Sequence, residues 1–157
     1  LKTVETIIKS SIKNKIKYLT LYAFSTENWK RPKKEVNYLF KLLENFLSRR
    51  LDHIHKQNIK IKILGYKKFS KKLNNLLNFA EKKTIKNSRL QINLALNYGS
   101  KSELINAFKK IKKNKIKINE KNLEKKLQTY NLDQLMHFPF HRWGQTKQIP
   151  DHRYQRY

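Results

Sequence analysis

The chain has 157 residues, 38% of them hydrophobic, which suits one domain with a single core. Its 37 Lys and Arg against 11 Asp and Glu give a formal net charge of +26, and the absence of cysteine excludes disulfides and thiolate metal sites. No apolar run approaches the roughly 18–20 residues of a membrane span, and no secretory signal is legible at the N-terminus, so a cytoplasmic protein is expected, with contact to an acidic membrane surface open to it.

Residues 1–15 place Val4, Ile7, Ile8 and Ile12 on one face of a helix. Residues 17–24 (KYLTLYAF) are β-branched and aromatic, as in a buried strand. A dense polar turn, Ser25-Thr26-Glu27-Asn28-Trp29-Lys30-Arg31, ends at Pro32, which suits the first turn of a helix because its missing N–H costs nothing there. Val36, Leu39, Phe40, Leu43, Phe46, Leu47, Leu51 and Ile54 then recur at three and four and predict a long amphipathic helix. Residues 59–64 (IKIKIL) alternate and stop at Gly65, a second strand. Leu73, Leu76, Leu77 and Ala80 predict a helix. Residues 90–96 (LQINLAL) predict a third strand, ending at Asn97-Tyr98-Gly99-Ser100. Leu104, Ile105, Phe108 and Ile111 mark the next helix, and Asn119 is placed to cap a short one carrying Leu123 and Leu127.

Strands alternating with helices predict an α/β fold with a mainly parallel central sheet flanked by helices. In such sheets ligands bind beyond the carboxyl ends of the strands. The turns at 25–31 and 97–101 both follow strands, so they are expected on the same rim. From Asp133 onward lysine nearly vanishes and neither helical nor strand periodicity survives. Residues 131–157 therefore read as a linker, an irregular tail or a stretch translated out of its ancestral frame, and residues 1–130 as the folded domain. In that tail His137 and His141 do not read as a metal pair, because Pro139 between them opposes a helix.

The charge admits a nucleic-acid partner, but lysine is spread along the chain with abundant Asn and Ile, the bias of A/T-rich codons, and is not gathered with Arg and aromatics on one face. Nucleic acid is therefore not the expected partner. The turn carries more specific chemistry. Ser25 and Thr26 offer hydroxyl donors, Glu27 a carboxylate, Asn28 an amide that donates and accepts, Trp29 a flat apolar surface with one N–H, and Arg31 a permanently charged fork suited to phosphate oxygens. On the residues alone a plainer reading stays open, with Ser25 or Thr26 as a cap, Trp29 packed on the core and Arg31 solvated.

The segment Leu19-Thr20-Leu21-Tyr22-Ala23-Phe24-Ser25-Thr26-Glu27-Asn28-Trp29-Lys30-Arg31-Pro32, with Glu35-Val36 after it, resembles the signature of the cis-prenyltransferases, especially the bacterial undecaprenyl pyrophosphate synthases. The likeness continues through His55-Lys56-Gln57-Asn58-Ile59, Ile63-Leu64-Gly65 and Leu90 to Gly99, over about residues 1–130. It implies a prenyltransferase that adds isopentenyl pyrophosphate to an allylic pyrophosphate, working as a homodimer with Mg²⁺. It also implies that Ser25, Thr26, Glu27, Trp29 and Arg31 bind substrate, that Asn28 is catalytic, and that Leu90 stands at the closed end of an apolar tunnel where bulk limits product length. Tyr38 stands where relatives carry something smaller, either narrowing that tunnel or facing solvent.

The family pattern also breaks. Its opening strand with the Met-Asp-Gly-Asn-Gly-Arg-Trp loop, its Arg-Thr-Gly-Gly-Glu and Arg-Ile-Ser motifs and its later metal-binding Glu are not legible, and Tyr66 replaces the usual Asp after Gly65. The expectation is an incomplete or inactive copy that lacks the first strand and the C-terminal part, holds no metal ligands and leaves open pairing edges in the sheet. The alternatives are a noncatalytic subunit of a two-chain prenyltransferase and a basic nucleic-acid-binding protein.

Overall fold

The computed structural model describes residues 2–130, 132 and 137–138. Residue 131, residues 133–136 and residues 139–157, and with them the expectations for most of the tail, lie outside the described residues. The elements follow the predicted order: α1 (Lys2–Lys13), β1 (Tyr18–Ser25), a 3₁₀ turn (Thr26–Lys30), α2 (Lys33–Lys56), β2 (Ile59–Leu64), α3 (Lys71–Thr84), β3 (Leu90–Tyr98), α4 (Ser100–Lys113), α5 (Glu120–Glu124) and a two-residue strand β4 (His137–Phe138). All pairings are parallel, in the order β2-β3-β1-β4. Three details depart from the sequence reading: no strand was expected at His137–Phe138, where β4 pairs with β1, and two concern the helices. The turn is itself helical, and Leu127 lies beyond the end of α5, whose Asn119 cap accepts from the Asn122 N–H.

One face of the sheet is apolar because alternate residues of each strand point there. Leu19 and Leu21, Ile59, Ile61 and Ile63, and Leu90, Ile92 and Leu96 meet Ile8 of α1, Val36, Leu47, Leu51 and Ile54 of α2, and Leu73, Leu77 and Ala80 of α3 in one buried cluster. The other face is mixed. Asn93, fully buried, donates to the Thr20 hydroxyl opposite it (3.2 Å) and accepts from Gln91 (2.8 Å), while Leu64, Ala95 and Leu132 form a small second cluster.

The alternation slips near the rim. Tyr22 pairs with Ala95 but Phe24 pairs with Leu96, so Ala23 is an extra residue in β1; Ser25 then pairs with Tyr98, making Asn97 an extra residue in β3. The first slip turns Phe24, which strict alternation would face outward, into the core. The second puts Asn97 in the left-handed region (φ 50°). Such bulges re-aim side chains where a strand meets a functional loop.

The outer edge of β2 is covered by side chains. Its outward N–H groups at Ile61, Ile63 and Gly65 donate to Thr84 Oγ1 (3.0 Å), Glu81 Oε1 (2.8 Å) and Gln128 Oε1 (2.6 Å), and Asn87 donates to the Ile59 carbonyl (2.7 Å). Side chains thus occupy the positions a further strand would take. β1 pairs directly with β3 along its length, and on its other side Thr20 and Leu21 pair with β4 among the described residues.

Candidate functional site

The rim of the sheet gathers around Trp29. Its ring packs against Phe24 (centroids 5.1 Å apart), Phe40 (5.6 Å) and Phe69 (6.4 Å), which joins the 3₁₀ turn to β1, to α2 and to the loop before α3. Its Nε1–H donates to Asn97 Oδ1 at 2.7 Å, and Asn97 Nδ2 donates to the Tyr66 carbonyl at 3.1 Å. Trp29 is nevertheless 45% exposed, so one part of the indole meets solvent. It lines a cleft of about 510 Å³ with Thr26, Tyr66, Lys68, Asn97, Ser102 and Asn106. Gly99 closes the junction from the β3 side: a Cβ there would stand 2.4 Å from Thr26 Oγ1. The two turns expected on one rim are therefore in contact.

The other turn residues have distinct places. Asn28 Oδ1 accepts from the Ser25 N–H (2.8 Å), so its side chain ties off the start of the 3₁₀ turn. Glu27 is exposed, and the Ser25 hydroxyl beside it, with further help from nearby donors and Lys101, holds its carboxyl below the usual range. Arg31 is held at 2.7 Å by Glu35, one helical turn on, and does not line the cleft. Leu90 lies at the opposite end of β3, fully buried in the apolar cluster. Tyr38 faces solvent, at 63% exposure.

Sequence reasoning did not single out Lys68, Ser102 or Asn106, treated Asn97 only as part of a turn, and noted Tyr66 only as a departure from the family pattern. The available signal was topological: Gly65 and Asn97 each end a predicted strand, and both adopt positive φ (106° and 50°) at the same rim.

A metal fits poorly. Among the described residues no three His, Cys, Asp or Glu side chains gather. The rim carboxylates are already engaged, Glu27 by Ser25, Glu35 by Arg31, and Glu103 by the Tyr98 hydroxyl (2.6 Å) and by the Gln128 and Thr129 N–H groups (2.6 and 3.0 Å). The described residues do not fit Mg²⁺.

Comparison with known proteins bears out the fold and the family resemblance. The prenyltransferase family model, that of undecaprenyl diphosphate synthase, matches residues 1–138, eight residues beyond the resemblance legible in the motifs. The isoprenyl transferase of Clostridium tetani is 39% identical over 153 residues, 95% of this chain and 55% of that protein. A probable undecaprenyl diphosphate synthase from Campylobacter jejuni superposes with a TM-score of 0.76 at 35% identity, covering 80% of this chain and 62% of the other. Lavandulyl diphosphate synthase from Lavandula x intermedia, solved with dimethylallyl diphosphate, gives 0.75 at 28% identity, covering 81% and 58%. The chain spans about half the length of the curated relatives it matches. With the family model covering most of its residues and the parallel sheet and helices superposing on solved members, this chain belongs to the cis-prenyltransferase family of undecaprenyl diphosphate synthase.

Proposed function

We propose that this chain forms the substrate-gripping part of a cis-prenyltransferase that condenses isopentenyl diphosphate onto an allylic diphosphate to make a polyprenyl diphosphate. The observation that carries this reading is the position of the Ser25–Arg31 turn. It sits at the carboxyl rim of a parallel sheet, over one end of an apolar layer, and Leu90 lies eight residues down β3, about 26 Å away at the usual strand rise. A polar, basic rim above a long apolar layer suits a ligand with a diphosphate head and a hydrocarbon tail. The same class of molecule, an allylic diphosphate, is bound in the Lavandula relative.

Ionising an allylic diphosphate develops negative charge on the departing group. Arg31, Lys68, Lys101 and the hydroxyls of Ser25 and Thr26 supply donors and positive charge for it at the rim. The Arg31–Glu35 pair is exposed on both sides, so it is worth at most about 1 kcal/mol. A diphosphate carries more charge than one carboxylate and can take the guanidinium from it. Asn28, its amide oxygen already engaged by the turn, orients the turn and does not remove a proton. The departing diphosphate is then the nearest acceptor for the proton lost from the adduct. The family resemblance adds a homodimer to this reading, and Mg²⁺ only through ligands other than the described residues, and the charge of +26 favours an acidic lipid surface.

Titration of the Trp143→Phe chain with farnesyl diphosphate, followed through Trp29 emission, tests the proposal. Saturable quenching that Arg31→Ala weakens is expected, by roughly tenfold for loss of a charge-assisted contact. Binding that ignores Arg31→Ala, together with retention on nucleic acid that falls steeply with salt, would overturn it in favour of a nucleic-acid-binding protein.

A further inference from the structure

We infer that Asn97 is a positioning residue for the substrate turn: its side-chain amide holds the Trp29 indole and thereby sets the conformation of Thr26–Lys30 over the cleft. This deepens the proposed function and rests on it.

Three observations converge on this one side chain. The bulge in β3 gives Asn97 a left-handed backbone (φ 50°), which turns its side chain out of the strand alternation. Asn is among the few non-glycine types that adopt this region readily. The residue is 7% exposed, so its amide is shielded from water and its two hydrogen bonds face little competition. Those bonds use both ends of the amide on different segments: Oδ1 accepts from Trp29 Nε1 at 2.7 Å, and Nδ2 donates to the Tyr66 carbonyl at 3.1 Å. One side chain therefore joins the substrate turn, the loop after β2 and the end of β3.

The link to Trp29 carries the functional weight. The indole is the part of the turn that touches both the aromatic cluster and the cleft. Ring packing alone fixes the plane of a half-exposed indole loosely, because offset and edge-on arrangements are similar in energy. The N–H···O bond selects one orientation. Asn28 and Arg31, on either side of Trp29, follow it through the 3₁₀ turn, whose Arg31 N–H closes on the Asn28 carbonyl at 3.1 Å. A substrate would meet a turn already ordered, which lowers the entropy lost on binding.

The test replaces the side chain without straining the backbone. Asn97→Gly removes the amide and still tolerates the positive φ, whereas Asn97→Ala would add αL strain. In a Trp143→Phe background Trp29 is the only tryptophan. Asn97→Gly is expected to red-shift Trp29 emission and raise its quenching by acrylamide in the unliganded protein. Affinity for farnesyl diphosphate is expected to fall about three- to tenfold, the worth of one neutral hydrogen bond. Trp29→Phe keeps a ring but removes the N–H, so with affinity measured by calorimetry Asn97→Gly should cost nothing further on top of it; additive losses would overturn the inference. Should the glycine variant fold poorly, Trp29→Phe alone decides the matter: an affinity loss of about three- to tenfold is expected from removing the indole N–H that Asn97 accepts, and no loss would overturn the inference. Unchanged emission and quenching in Asn97→Gly would also overturn it. If no variant binds the diphosphate while the emission changes occur as expected, the proposed function fails and the positioning role stands.

Discussion

Gly99 shows how little room a single site residue leaves. A Cβ built there lies 2.4 Å from Thr26 Oγ1 and 3.2 Å from Thr26 Cγ2, side-chain atoms of a residue held in the 3₁₀ turn. The backbone of Gly99 itself is extended, so the constraint is contact and not conformation. Gly99→Ala is expected to push Thr26 into the cleft, with a stability loss of about 1–2 kcal/mol by denaturant titration. Thr26→Ser in the same chain removes Cγ2 but keeps the clashing hydroxyl oxygen, so it should restore stability only in part, whereas Thr26→Ala should restore most of it. Tyr98 gives a residue-level pH prediction. Burial, then its hydrogen bond to Glu103, raises its hydroxyl above the ordinary tyrosine value of 10.0. The folded state holds this proton more tightly than the unfolded state. The stabilisation is therefore complete below the unfolded value and is lost as pH rises from there through the folded value. Absorbance titration should show a tyrosine that ionises only together with unfolding at alkaline pH, and Tyr98→Phe should remove that late step.

At the scale of elements, the capped edge of β2 makes the sharpest prediction. Thr84 Oγ1 accepts from the Ile61 N–H at 3.0 Å while its hydroxyl donates to the Ala80 carbonyl at 2.8 Å, and the residue is fully buried. Thr84→Val keeps the volume but leaves a strand N–H with no acceptor in a dry place. The expected cost is about 1–3 kcal/mol, read from the urea midpoint. Thr84→Ser should cost less, since the acceptor survives. None of this edge chemistry was visible in the sequence, where Thr84 was one more residue near the end of a helix. The elements themselves were legible because apolar residues at three and four, or in alternation, must lie on one face to be buried. That is why Val36 to Ile54 and IKIKIL were placed without difficulty. The 3₁₀ turn was not, since Thr26–Lys30 contains no apolar period and is held by the Asn28 amide, a contact among polar side chains. Trp29 and Thr26 were found through their motif. Lys68, Ser102 and Asn106 were missed because tertiary folding alone brings them to the rim, from loops and a helix start with no pattern of their own.

For the whole molecule, charge is the dominant unbalanced term. With a net +26, lysines repel one another over most of the surface. The described ion pairs offset little of this: Arg31–Glu35, Arg50–Glu5, Lys72–Glu44, Lys83–Asp52 and Lys67–Glu81 all involve partly or largely exposed groups. Salt weakens attraction and repulsion alike, but here there is far more repulsion to screen. Raising sodium chloride from about 0.02 M to about 0.3 M shortens the screening length from roughly 20 Å to roughly 6 Å, below the spacing of many surface lysines. The melting temperature is therefore expected to rise by roughly 2–8 °C, corresponding to about 1–2 kcal/mol for a domain of this size. A fall would mean that the five pairs outweigh the excess charge. The same field draws anions to the rim, so diphosphate affinity should decrease over the salt range in which stability increases. On the proposed function, opposite slopes measured on one protein across one salt series would separate the general positive field from a contact at Arg31: the field accounts for most of the affinity that salt removes, and Arg31→Ala should still lower the affinity roughly tenfold at the high-salt end.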